Sequence, residues 1–185
     1  MVSAGKVKIG IIGAGFVGSV QAAAKFADLV IVAIPFGNYT ALPVAELEGK
    51  TVLDANNYYP ARDGNFAQLD NFTSTTSELL QAHLPRAKVV KAFNAILERH
   101  IGRDARPSGH AERRALPICG DDSEAKRAVA ELQEALGFDT VDAGTLAQGW
   151  RFERDRPAYC VKLNSENLSR VLAETGSNAA EGLWF

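Results

Sequence analysis

The chain has 185 residues, 46% of them hydrophobic and 23% charged, with 20 Lys+Arg against 22 Asp+Glu. A chain of this size and composition buries enough apolar surface to fold as one domain without metal or disulfide staples, which excludes a disordered polypeptide. The net charge of −2 and two cysteines, Cys119 and Cys160, in no C-x-x-C pair argue against nucleic acid as a partner and against a disulfide framework or zinc knuckle. The longest apolar stretch, residues 29–36, falls far short of the ~20 residues of a membrane helix. The opening Met1-Val2-Ser3-Ala4-Gly5 has no charged leader followed by an apolar core. The expectation is a cytoplasmic protein, neither exported nor inserted in a membrane.

In chain order, β-branched apolar runs predict strands over residues 6–12, 29–34, 51–54, 88–92, 116–119 and 138–142. Helical patterns separate them, the alternation that predicts an α/β fold with a mainly parallel sheet. Several strands are almost continuously apolar, as strands covered on both faces should be. Between the first two strands lies Gly13-Ala14-Gly15-Phe16-Val17-Gly18, preceded by a strand and followed by a helical pattern. In that context G-x-G-x-x-G is the fingerprint of dinucleotide binding. Gly13 permits the tight turn, Gly15 a close backbone approach to a pyrophosphate, and Gly18 close packing of helix on strand. The N–H groups that begin the helix face the phosphates. The alternative is that the glycines merely make a turn.

An adenosine-binding acid or a 2′-phosphate-binding Arg belongs about 20 residues further on. That window reads Ala33-Ile34-Pro35-Phe36-Gly37-Asn38 and holds no ionisable group. Only residues 13–28 separate the first two strands, enough for one crossover helix to a parallel neighbour. A right-handed crossover in that direction places the helix on the sheet face opposite to the usual one. Either the site is remodelled or a segment is missing.

The polar stretch 56–76 is too long for a simple connection and predicts a functional excursion. Thr75-x-x-Glu78 reads as a capping box. Asp121 or Asp122 caps a helix with Ala125, Val129, Leu132 and Leu136 on its apolar face, and Gly137 stands at the C-cap position. A last helix is expected from Asn164 or Ser165 to Glu174, and the Trp184-Phe185 end makes a homodimer an expectation.

Ligands of parallel sheets bind beyond the carboxyl ends of the strands. Those ends carry Ile34, Pro35 and Phe36, then Asn56, Asn57, Tyr58 and Tyr59, then Phe93 and Asn94. Amides and aromatic rings on one rim suit a planar, hydrogen-bonding ring better than a metal or a nucleophile. The alternative is that the asparagines only cap turns and helix starts. His83, His100 and His110 have no carboxylate or cysteine at ligand or triad spacing, and solvated or capping roles are expected of them. Cys119 reads as a small buried hydrophobe. Arg151, Arg154 and Arg156, around Trp150 and Phe152, read as a solvated loop, the alternative being contact with an anionic ligand.

Taken together, Gly13–Gly18, Ala33-Ile34-Pro35-Phe36, Leu53-Asp54-Ala55-Asn56-Asn57-Tyr58-Tyr59-Pro60, Lys91-Ala92-Phe93-Asn94 and Val141-Asp142-Ala143-Gly144 resemble the NADPH-dependent reductases of the deazaflavin coenzyme F420 and their dinucleotide-binding relatives. The resemblance runs from Val7 to about Leu172. It implies a doubly wound Rossmann domain over residues 1–145, a C-terminal extension over 146–185 packed on it, and hydride exchange between NADP(H), or NAD(H), and a deazaflavin or flavin-like acceptor. It places Gly13, Ala14, Gly15, Phe16, Val17 and Gly18 at the pyrophosphate and Ile34, Pro35 and Phe36 along the cofactor. It places Asn56 and Asn94 at the nicotinamide and acceptor side, with no catalytic side chain and no metal. Relatives carry a further strand and its 2′-phosphate site before the segment matching residues 29–35, so about one βαβ unit is shortened away here. The alternative function is a nucleotide-binding sensor, a degenerate Rossmann domain without turnover.

Overall fold

The computed structural model describes residues 7–13 and 17–176. One six-stranded sheet runs through the molecule in the order β1 (Ile9–Ile12), β2 (Leu29–Val32), β3 (Thr51–Asp54), β4 (Lys88–Ala92), β5 (Ala115–Gly120), β6 (Asp139–Asp142). β1 to β4 are parallel, β5 runs antiparallel to β4, and β6 is parallel to β5. All six expected strands are present within a few residues, and the sheet is mainly parallel with helices on both faces, a Rossmann-like α/β fold.

The helices are α1 (Val17–Phe26), one-turn α2 (Val44–Leu47), α3 (Pro60–Asp63) and α4 (Ala67–Asp70), then α5 (Thr76–His83), α6 (Glu98–Asp104), α7 (Ser123–Ala135) and α8 (Ser165–Glu174). The helix signals in the sequence act as read. Thr75 and Glu78 form both bonds of a capping box on α5. Asp122 accepts from the Ala125 N–H to cap α7, and Gly137 follows at φ +91°. Asn164 caps α8 through the Asn167 N–H.

The chain steps from β1 to β4 one strand at a time in one direction. Crossovers of a single hand must then lay every connecting helix on one face. Ala24 and Ala27 of α1 and its C-terminal turn, Leu47 of α2 and Leu80 of α5 accordingly share one core with Ile12, Val30, Val52 and Val89. α8, with Leu168 and Leu172, covers the same face further along. On the opposite face Ala125 and Val129 of α7 pack on Leu29, Leu53, Val90 and Ile118. Nothing described covers that face over β1: Val7, Ile9 and Ile11 are 63%, 41% and 67% exposed.

Close contact of α1 with β1 depends on Gly10. A Cβ there would stand 2.7 Å from the Ala23 carbonyl oxygen and 2.9 Å from the Ala27 Cβ. The beginning of β5 is held by ions. Arg113 pairs with Glu134 at 2.6 Å and Asp139 at 2.7 Å, while Arg114 pairs with buried Asp104 at 3.0 Å and donates to the Ala95 and Val161 carbonyls. Burial pushes the Asp104 carboxyl up, but bonds from Arg103 and Arg114 outweigh it and hold it below the usual carboxylate range. No described helix is long and apolar enough to cross a membrane.

Candidate functional site

Parallel pairing of β1 to β4 brings four chain reversals to one rim, and hydrogen bonds carry the ladder past the strands. The Ala33 N–H donates to the Ile12 carbonyl at 2.8 Å and the Ala55 N–H to the Val32 carbonyl at 3.0 Å. At the end of β1 stands Gly13. No described atom lies within 4 Å of the position its Cβ would take, so neither packing nor a positive φ calls for glycine there. Its backbone is open to close approach from outside, which is what a diphosphate needs. Val17 and Gly18 lie in the first turn of α1, while Ala14, Gly15 and Phe16 lie outside the described residues. A close helix-on-strand contact is made at Gly10, on the strand side.

The asparagines lock the rim. Asn56 accepts from the Ile34 N–H at 2.8 Å, and its own N–H donates to Asp54 at 2.9 Å. Asn57 Nδ2 donates to the Asn94 carbonyl at 3.0 Å, and Asn94 Nδ2 donates to the Phe152 carbonyl at 2.9 Å. They tie the ends of β2, β3 and β4 to one another and do not cap helices. Two of their atoms, Asn56 Nδ2 and Asn94 Oδ1, are buried with no hydrogen-bond partner. Each such orphan costs stability and calls for a reason. Beside them Phe93 holds a left-handed backbone at φ +59°, a conformation a non-glycine residue adopts only when its surroundings enforce it. Ile34 and Pro35 stay partly accessible on the rim. The Phe36 ring turns inward, fully buried and stacked on Tyr39 at 4.8 Å, with Tyr58 and Phe66 edge-on to it.

Directly beneath lies a group of buried charges. Lys91 on β4 and Asp54 on β3 are fully buried, 3.9 Å apart. Lys91 Nζ donates to Thr76 Oγ1 at 2.7 Å and also stands 3.4 Å from Glu153. Thr76 passes a bond of 2.7 Å on to Glu153, and Ser77 donates to Asp54 at 2.6 Å. Sequence reasoning missed this cluster, although a lysine between Val90 and Ala92 in a strand covered on both faces was itself a signal, since such a charge is buried only with partners. Glu153 also helps to line a cavity of about 600 Å³, with Tyr58, Phe72, Thr76, Trp150 and Arg156 among its walls.

The excursion over residues 56–76 thus supplies one side of a cavity. The other side comes from a 3-10 segment, Leu146–Phe152, and the turns after it. The three arginines there are not a solvated loop. Arg151 donates to the Leu172 carbonyl at 2.7 Å, and buried Arg156 lies over the Trp150 and Phe72 rings, because the segment packs between α5 and α8 against the sheet. Asp121 accepts from the Leu146 N–H at 3.0 Å, and His83 bonds the Leu42 carbonyl at 3.2 Å. Cys119 is buried as expected, and burial pushes its thiol well up, so it is no nucleophile. The described residues contain no group of His, Cys, Asp and Glu that could hold a metal ion.

No protein-family model matches the chain. Its fold matches that of the hypothetical protein SMa0349 from Sinorhizobium meliloti with a TM-score of 0.66 and 29% identity, over 85% of this chain and 95% of that one. A structure described as a "putative F420 dependent NADP-reductase" from Arthrobacter sp. FB24 matches with a TM-score of 0.60 and 26% identity, over 70% of this chain and 61% of that one. Metalloreductase STEAP3 of Rattus norvegicus is 30% identical over 128 residues, which are 68% of this chain and 24% of that protein. The chain therefore spans about a quarter of the length of that curated relative. The resemblance to F420-dependent NADP reductases read from the motifs has a structural counterpart, and the fold is that of NADP-binding oxidoreductases.

Proposed function

We propose that the chain is a nicotinamide-nucleotide-dependent oxidoreductase whose acceptor is a planar deazaflavin or flavin-like ring. The observation that carries this reading is the open backbone at Gly13, at the carboxyl end of β1 and four residues before α1. There a phosphate can approach the main chain with no described side chain within 4 Å of the Gly13 Cβ position. The rim fits the other end of such a nucleotide. Ile34 and Pro35 stay partly accessible there, and the bonds of Asn56, Asn57 and Asn94 hold the strand ends in fixed positions beside them. The names of the Arthrobacter and rat proteins, an NADP-reductase and a metalloreductase, support the same class of chemistry.

The bound nicotinamide, when present, supplies the hydride. The chain positions and shields. The Asn56, Asn57 and Asn94 bonds fix the strand ends, and the rings of Tyr58, Phe72 and Trp150 give the adjoining cavity flat apolar walls on which an acceptor ring can lie. No acid–base pair is needed for direct transfer, which accords with the scarcity of titratable groups on the rim.

Gly13→Asp tests the reading. The new side chain has room, so urea unfolding is expected to stay near wild type. NADPH affinity is expected to fall on the order of 100-fold, because like charges a few ångström apart near a surface repel by a few kcal/mol. Fluorescence titration with NADPH gives the affinity, and reduction of an F420-like or flavin acceptor gives turnover. Unchanged affinity in the variant defeats the reading, and wild-type binding with no turnover on any such acceptor makes the chain a nucleotide sensor.

A further inference from the structure

The cavity of about 600 Å³ beside the rim is large enough for a tricyclic ring and has rings of its own, Tyr58, Phe72 and Trp150, in its walls. Two of its residues, Phe72 on one side and Asp155 on the other, hold left-handed backbones at φ +58° and +67°. Such strain persists in a non-glycine residue only where the surroundings enforce it, and it gathers at ligand clamps. Several charged groups of the walls are turned on their neighbours. Asp70 accepts from the Tyr58 hydroxyl at 2.7 Å, Glu78 accepts from the Thr75 N–H at 2.8 Å, and Arg154 pairs with Asp155 at 3.0 Å.

Glu153 differs. Its contacts with the Thr76 N–H at 3.1 Å, the Thr76 hydroxyl at 2.7 Å and Lys91 Nζ at 3.4 Å all use Oε1. They fix the carboxylate from one side, and Oε2 takes none of them, while the side chain stays 21% exposed in the cavity wall. An acceptor oxygen held in this way beside flat apolar walls suits a donor carried by a ring lying on those walls. A cationic donor is disfavoured, because Lys91 stands 3.4 Å from the same carboxylate and the Arg156 guanidinium already lies over the Trp150 and Phe72 rings. We propose that Glu153 Oε2 accepts a hydrogen bond from a ring N–H of the hydride acceptor, and that the protein thereby selects planar, uncharged rings carrying an imide or amide N–H. This rests on the acceptor class proposed above and names the group by which the acceptor is recognised.

The experiment uses the full chain and two probes, lumiflavin and 3-methyllumiflavin, which differ by a methyl group in place of the imide hydrogen. Each is titrated by quenching of its own fluorescence without nucleotide, and NADPH is titrated separately. Lumiflavin is expected to bind the wild-type chain about tenfold tighter than its methylated form, as the loss of one bond to a charged group implies. Glu153→Gln, with folding checked by urea unfolding, is expected to weaken lumiflavin and bring the two dissociation constants within about threefold of each other. Glu153→Asp, which keeps the charge near Lys91 and shortens the reach, is expected to act in the same direction and replaces the Gln variant if that one does not fold. Wild-type affinities within about threefold of each other, or a folded variant that keeps the full preference, overturn the proposal and leave the acceptor class in place. Binding of neither flavin overturns the proposal and the acceptor class together, and the NADPH titration then decides separately whether a nicotinamide-dependent function stands.

Discussion

Replacing Lys91 by Met is expected to cost roughly 3–5 kcal/mol of stability, the usual penalty for removing one partner of a buried ionic group. Methionine fills much the same volume, so little of the loss is packing. What disappears is a cation within 4 Å of two carboxylates, fully buried Asp54 at 3.9 Å and Glu153 at 3.4 Å. Thr76 and Ser77 continue to donate to those carboxylates, but hydroxyl dipoles do not neutralise a pair of negative charges in a dry interior. Urea unfolding at neutral pH measures the loss. Adding Asp54→Asn to Lys91→Met should restore part of the stability. A deficit under about 1 kcal/mol in the single variant would show that the cluster is not the tie between β3, β4 and α5 that its geometry describes.

Gly10→Val is expected to cost about 2–3 kcal/mol and to weaken nucleotide binding as well, since overpacking a close contact costs on that order. The obstruction at 2.7 Å is the Ala23 carbonyl, a backbone atom of α1, so no change of rotamer clears it and the whole helix must move. α1 begins four residues after Gly13, and displacing it would shift the turn proposed to meet the phosphate. Ala27→Gly in the same chain removes only the 2.9 Å contact with the Ala27 Cβ and should recover only part of the loss. Chemical unfolding and an NADPH titration of the single and double variants give both quantities. Wild-type values for the single variant would mean that α1 does not sit on β1 as described.

The elements governed by local chemistry were readable without the structure. Thr75 and Glu78, Asp122, Gly137 and Asn164 act on neighbours within a few residues, and each marks a helix end as expected. The four rim segments were likewise legible, because a parallel strand must discharge its chain at the carboxyl edge whatever follows. Gly10 was not, since its importance depends on which face receives α1, and that follows from the direction of the β1 to β2 step. Nor was the role of residues 146–152, a 3-10 segment with no helical period to announce it, which meets Asn94 through the Phe152 carbonyl and packs Gly149 on Lys91. The Asn56 and Asn94 side chains were expected near a ligand or at turns. Together with Asn57 they hold three strand ends together.

The two arginines just before β5 reach different elements, one α7 and β6 and the other α6. Each fastens elements distant in sequence with charge-assisted bonds, whereas β1 pairs along one edge and is joined to the end of α1 by apolar contact and a few bonds near its start, such as the Lys8 N–H to Asp28 at 3.2 Å. Among the described residues the sheet is therefore more firmly tied at β5 than at β1. In deuterium labelling the amides of β1 and α1 should exchange well before those of β5, and a nucleotide that seats on the turn should slow the early set selectively.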